Sequence, residues 1–313
     1  MGMKNRIIKL IKEQSIWIIL VFSLMFFGVM TANFFSFRNF QNILLQTSIN
    51  GIMAIGMTYV ILNGNIDLSI GMIYALCAAV VIGFQSLGIV PSVLIALAVG
   101  LIIGAINGIF VAKAEINAFI VTLAAMIGVK GLLFVYTGER AIIGTNLNFT
   151  YLASTRIGFI PLPAIIFIVL LIIGEYILRN TPHGRNAYAI GGNQDAAEKA
   201  GINVKKHIII NFMLSGGMAA IAGIIAASRM NTATTTLGRM DHLWVIIAVV
   251  LGGTNLKGGY GNLIRTLGGI LVIGILNNGL NLMNVHTFYN MLIMGIILIL
   301  VIYIGKKFEV SKS

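Results

Sequence analysis

The chain has 313 residues, 58% of them hydrophobic and only 10% charged, with a mean hydropathy of +0.97. A water-soluble domain of this size must coat itself with charge, so the composition excludes a soluble globular protein. The net charge of +12 comes from basic residues scattered over short connecting segments. They lack the aromatic interleaving of a nucleic-acid surface, so no nucleic acid is expected as a partner.

A helix that crosses hydrocarbon needs roughly 20 mostly apolar residues. In chain order such stretches lie near 16–33, 42–62, 68–86, 92–112, 117–136, 162–178, 208–228, 242–253, 263–281 and 288–305. The first follows a basic start and runs into Asn33-Phe34-Phe35 with no small-residue cleavage site, so it reads as a retained helix rather than a signal peptide. Residues 242–253 are too few to cross and read as a partial helix inside the bundle. Apolar runs here are continuous rather than alternating, which favours helices over a barrel. The expected fold is all-α, a polytopic membrane helical bundle of about ten transmembrane helices forming one domain over 1–313. Gly100, Gly104 and Gly108 recur on one helical face, a signal for close helix packing. Cys77 is the single cysteine, so no disulfide framework exists within the chain.

With both termini placed in the cytoplasm, 15 Lys and Arg fall inside, five fall outside, and Lys130 sits within a span. That is a positive-inside bias. Under this orientation Arg179–His207 is cytoplasmic: 29 residues carrying Arg179, Arg185, Asp195, Glu198, Lys199, Lys205 and Lys206. The stretch is too short for an enzyme domain and long enough to form a helix that another protein could grip. On the other side, Tyr136–Pro163 is either a landing surface for an external partner or a solvated connector.

Catalytic chemistry is poorly supplied. The four histidines have no metal-ligand spacing, and no G-x-S-x-G elbow is present. In Gly252–Gly261 the lysine, Lys257, precedes the glycine pair and no Ser or Thr follows, so this is not a phosphate-binding loop. No catalytic residue, metal or cofactor is expected, and any ATP is bound by a partner subunit.

Polar residues inside the apolar runs are more informative. Asn63, Asn65 and Asp67, with Gly64 and Gly71, interrupt a stretch that would otherwise continue from Ile49 to Phe84. Broken backbone at membrane depth is tolerated where protein or a water-filled cavity satisfies it. The break either lines a solute pathway or is a tight turn in which Asp67 caps the next helix. Asn107, Asn277, Asn278 and Asn281 form a second group. Carboxamides suit a hydroxyl-bearing solute and equally suit hydrogen bonds between helices. No series of intramembrane carboxylates appears of the kind an ion-coupled carrier needs.

Four blocks then match a known pattern in order. Tyr188–Ile202, containing Gly191-Gly192-Asn193-Gln194-Asp195-Ala196-Ala197-Glu198-Lys199-Ala200-Gly201, resembles the cytoplasmic coupling loop of the ribose-type permeases, the membrane subunits of bacterial ABC importers for monosaccharides. Gly56–Leu62 with Ile66–Gly71, Ala248–Thr254, and Gly274–Leu282 resemble three further blocks of that family. The resemblance implies that residues 179–207 form a coupling loop on which a cytoplasmic ABC ATPase subunit docks through Gly192, Asn193, Asp195, Ala197, Ala200 and Gly201. It further implies pairing with a second permease copy or a sister permease, an extracytoplasmic sugar-binding protein, and a small-molecule sugar as cargo. The setting it implies is the lipid of the bacterial cytoplasmic membrane. Within that frame the solute is a monosaccharide or, in relatives, a nucleoside or sugar-like signalling molecule. An ATP-independent channel or secondary carrier is the reading from another class. The chain departs from the family pattern at Asn63-Gly64-Asn65, at Ala200, and in Gly238–Ile247, where His242 stands at an acidic position and Trp244 among small residues.

Overall fold

The structure is a computed structural model describing residues 3–286, 288–293, 295–297 and 299, with side chains from Ile16 onward. Helices α1 (Met3–Met30), α2 (Phe37–Leu62), α3 (Ile70–Gly83), α4 (Ile89–Ala112) and α5 (Ala118–Thr137) come first. A short turn, α6 (Tyr151–Ser154), precedes α7 (Leu162–Asn180), α8 (Pro182–Gly192) and α9 (Gln194–Lys199). Then follow α10 (Val204–Met230), α11 (Asp241–Leu251) and α12 (Leu263–Leu282). Two-residue strands β1 (Ile142–Ile143), β2 (Arg156–Ile157), β3 (Ile160–Pro161) and β4 (Thr232–Ala233) pair antiparallel as β1–β4 and β2–β3.

Among the described residues six helices, α2, α4, α5, α7, α10 and α12, are long and apolar enough to cross a membrane. Shorter apolar helices are α3, α11, the Ile16–Met30 part of α1, and a segment beginning at Phe288. The all-α membrane bundle expected from composition is therefore present. The tenth expected stretch, 288–305, runs beyond the described residues, as do both chain ends.

Side-chain caps explain many of the boundaries. Ser36, Asn117, Thr181, Asn193, Asn203 and Asn262 each accept a backbone N–H from the first turn of the helix that follows. Pro182 stands in the first turn of α8, where its missing N–H costs nothing.

The core is centred on α10, which packs against α4, α2 and α3. Its contact with α4 is a glycine seam. A Cβ on Gly100 would lie 2.5 Å from the Gly216 carbonyl oxygen, one on Gly104 2.3 Å from that of Phe212, and one on Gly108 2.7 Å from the Ile209 Cα. The backbones touch, so any side chain there would separate the helices.

The sequence suggests a full-length third span over 68–86, but α3 has only 14 residues. It begins at Ile70 and closes at Gly83, after which Gln85–Leu87 form a short 3-10 turn. α11 is its counterpart, with 11 residues. The first turn of α3 and the segment leading into α11 meet at Gly71 and Gly238: a Cβ on Gly238 would lie 2.0 Å from the Gly71 oxygen, one on Gly71 2.5 Å from that of Gly238. From that level α3 runs towards the β1–β4 end of the bundle. α11 runs towards the opposite end, where α8 and α9 sit.

Candidate functional site

A cavity of about 280 Å³ opens between α2, α3, α11 and α12. Gln46 and Asn50 reach it from α2, one helical turn apart, and Asn277 and Asn281 reach it from α12, also one turn apart. Asp241 and Trp244, on the first turn of α11, and Tyr74 of α3 complete the polar and aromatic lining, with Ile270 and Ile273 towards the α8–α9 end. The same α2–α12 interface carries Thr58 and Thr266 nearer that end, their hydroxyls 3.1 Å apart.

The residues singled out in the sequence divide between this cavity and other sites. Asn277 and Asn281 line it, and Asn277 Oδ1 accepts from Asn290 Nδ2 at 3.1 Å. Asn278 points elsewhere and forms a reciprocal amide pair with Asn39, at 2.8 and 2.9 Å. Asp67 is fully buried beside α10 and α4. Its Oδ1 accepts from the Ser69 N–H and hydroxyl, at 3.0 and 2.6 Å, and its Oδ2 accepts from the Ser215 hydroxyl at 2.7 Å. Asn107 joins this network by donating to Ser69 Oγ at 2.9 Å. Asn65 donates to the Asn63 carbonyl, while the buried Asn63 side chain has no hydrogen-bond partner. Sequence reasoning missed Gln46, Asn50, Tyr74 and Asp241. Gln46 and Asn50 did carry a signal, two carboxamides at i and i+4 in an apolar helix.

At the α8–α9 end, the stretch read as a docking loop forms two helices. α9 begins at Asn193, whose side chain accepts the Ala196 N–H at 2.9 Å. It ends in a Schellman turn: Gly201 has φ +82°, its N–H bonds the Glu198 carbonyl, and the Ile202 N–H bonds that of Ala197. Ala197 faces inward, in a cluster with Ile190, Val204 and Ile208. Gln194, Asp195, Glu198 and Lys199 face out, as do Gly192, Asn193 and Ala200.

The end of α8 is seated on the bundle by backbone alone. A Cβ on Gly191 would lie 1.8 Å from the Leu62 oxygen and 2.4 Å from the Gly259 nitrogen. Gly259 in turn donates its N–H to Leu62 at 3.0 Å. Gly258 and Gly259, at φ +90° and +72°, turn the α11–α12 connection tightly enough to meet both segments. Tyr188 adds a bond from its hydroxyl to the Gly261 carbonyl at 2.7 Å. Glu175 of α7 accepts the Leu263 N–H at 2.9 Å, fixing the first residue of α12.

At its start, α8 is fixed by an imidazole pair. His183 Nδ1 lies 2.8 Å from His207 Nδ1, and its Nε2 lies 2.8 Å from Asn211 Oδ1. Asn211 also donates to the Tyr59 carbonyl of α2 at 3.1 Å. Burial pushes His183 below the ordinary histidine range, although the Asn211 bond opposes the shift. Among the described residues, no three His, Cys, Asp or Glu side chains gather to hold a metal.

Residues 39–302 match the family described as branched-chain amino acid transport system / permease component. The chain is 40% identical over 308 residues to the ribose import permease protein RbsC of Haemophilus influenzae, covering 94% of each protein. It is 41% identical over 305 residues to RbsC of Escherichia coli K12, again with 94% of each covered. It is 36% identical over 300 residues to the L-arabinose transport system permease protein AraH of E. coli K12, covering 94% of this chain and 91% of that one. No solved structure matches the chain.

Proposed function

The chain belongs to this permease family, and from that premise we propose that it is the membrane-spanning subunit of an ATP-binding cassette importer for a monosaccharide. It is a multi-pass protein of the bacterial cytoplasmic membrane. In this reading ten helices span or enter the bilayer, both termini are cytoplasmic, and the α8–α9 end faces the cytosol. A separate ATPase subunit docks on the outward face of α9, through Asn193, Asp195 and their neighbours. A sugar-binding protein delivers solute at the β1–β4 end, and a second permease copy or sister permease completes the path.

One observation carries the reading: the docking segment is seated on the feet of α2 and α12, two of the helices that line the cavity. Gly191 abuts Leu62, the last residue of α2, and the connection that leads into α12. A push on α9 therefore reaches α2 and α12 through packed backbone. ATP closure of the ATPase dimer supplies that push, and the two arrangements of the α2–α12 interface are the states it biases. The permease needs no catalytic group of its own.

Purification of the tagged chain from native membranes in mild detergent tests this. A stoichiometric ABC ATPase should accompany it and be lost when the exposed face of α9 is altered, for instance by Asp195→Arg with Glu198→Arg. A chain that emerges without an ATPase under several gentle conditions would overturn the reading in favour of a channel or secondary carrier.

A further inference from the structure

The import reading leaves Asp241 unexplained. It opens α11 at the wall of the cavity, in a chain with nine carboxylates in all. The ion pairs among the described residues, Arg179–Glu175 and Lys205–Glu115, do not include it. An ionisable group at this depth calls for a partner.

The surroundings define that partner's chemistry. Gln46, Asn50, Asn277 and Asn281 offer carboxamides, each able to donate and accept. Asn277 already accepts one bond from Asn290, which leaves both its amide hydrogens and a second lone pair for the cavity. Trp244 supplies an indole face three residues beyond Asp241. Among the described residues no Lys or Arg lines the cavity, so none of them compensates a phosphate or carboxylate. A carboxylate accepts strongly from hydroxyls, carboxamides bond hydroxyls in either sense, and an indole covers the apolar face of a ring. The volume of about 280 Å³ lies just below the usual range of pockets for drug-sized ligands, in keeping with a smaller solute.

We infer that the permease carries its own solute site in this cavity, for one neutral monosaccharide. Hydroxyls of the sugar donate to Asp241, and its ring lies against Trp244. This rests on the import reading and deepens it, because selection is then applied within the membrane as well as by the protein that delivers the sugar.

The chain has two tryptophans, Trp17 and Trp244. Trp17→Phe therefore leaves Trp244 as the only indole. This variant, purified without partners into lipid nanodiscs, is titrated with D-ribose, L-arabinose and D-xylose, and separately with ribose 5-phosphate and glucosamine. At least one neutral sugar should give a saturable change in fluorescence, with a Kd on the order of 1 mM. Adding Asp241→Asn should weaken it at least about tenfold. Absence of a saturable change with every neutral sugar would overturn the inference, as would binding of the phosphate or the amino sugar alone, or an Asp241→Asn variant of unchanged affinity. Should Asp241→Asn fail to fold, Trp244→Leu is assayed with radiolabelled ribose in the same discs. Weakened binding is expected there, and unchanged binding refutes the site. ATPase co-purification is measured separately, on the same variants isolated from native membranes in mild detergent: if it persists while sugar binding is absent, this inference falls and the import reading stands.

Discussion

Two adjacent glycines separate contact from mere sequence. An alanine at Gly191 places its methyl 1.8 Å from the Leu62 oxygen and 2.4 Å from the Gly259 nitrogen, both backbone atoms. Restoring ordinary contact requires a shift of about 1.5 Å by α8, by the end of α2, or by the α11–α12 connection. Overpacking of this kind costs about 1–3 kcal/mol, and loss of the Gly259–Leu62 hydrogen bond adds about 1 kcal/mol. Helix propensity returns somewhat under 1 kcal/mol, so the net loss is about 1–3 kcal/mol. At Gly192 an added methyl meets nothing within 4 Å, and the change should lie within about 0.5 kcal/mol. Thermal unfolding in detergent measures stability, and sugar uptake per ATP hydrolysed in proteoliposomes measures coupling. Gly191→Ala should lower both while Gly192→Ala matches the parent chain. If the two variants behave alike, the backbone junction is not the route by which α8 and α9 act on the bundle.

Asp67→Ala strands three buried donor contacts from Ser69 and Ser215 and should cost about 3–5 kcal/mol, with Asp67→Asn milder. A depressed melting temperature and reduced membrane level are expected; an alanine variant as stable as the parent but inactive in transport would place Asp67 in the solute path instead. Stability should also depend on pH through His183. Its folded pKa lies below the ordinary value of 6.5, so the unfolded chain takes up the proton first. The contribution is thus intact above pH 6.5 and declines as pH falls from there towards the folded pKa. Melting curves between pH 8 and pH 5 should show that decline in the parent chain and a shallower one in His183→Gln, and identical slopes would contradict it.

Apolar runs, interrupted by capping Ser, Thr and Asn residues, make the helices legible from sequence, and the glycine spacing marks the close-packing face of α4 but not its partner, α10. Length is less legible. The 68–86 run is apolar enough for a full span, yet α3 closes at Gly83, and Asp67 just ahead of it is bound by Ser215, 148 residues away. The polar residues were visible but not their partners. Asn277 and Asn278 are neighbours of one type, but α12 turns the first to the cavity and the second to Asn39. Asp241 passed unnoticed because nothing local distinguishes a cavity wall from a helix start.

The fixed first residue of α12 has a mechanical consequence. A helix of 20 residues is a rod roughly 30 Å long at 1.5 Å per residue. Leu263 is gripped at one end by Glu175 and the glycine connection, while Asn277 and Asn281 ride near the other. A sideways movement of about 2 Å at the gripped end tilts such a rod by roughly 4° about its far end. The α12 foot thus acts as the short stroke of a lever, and the glycines beneath it, having no side chains to compress, transmit that stroke with little slack.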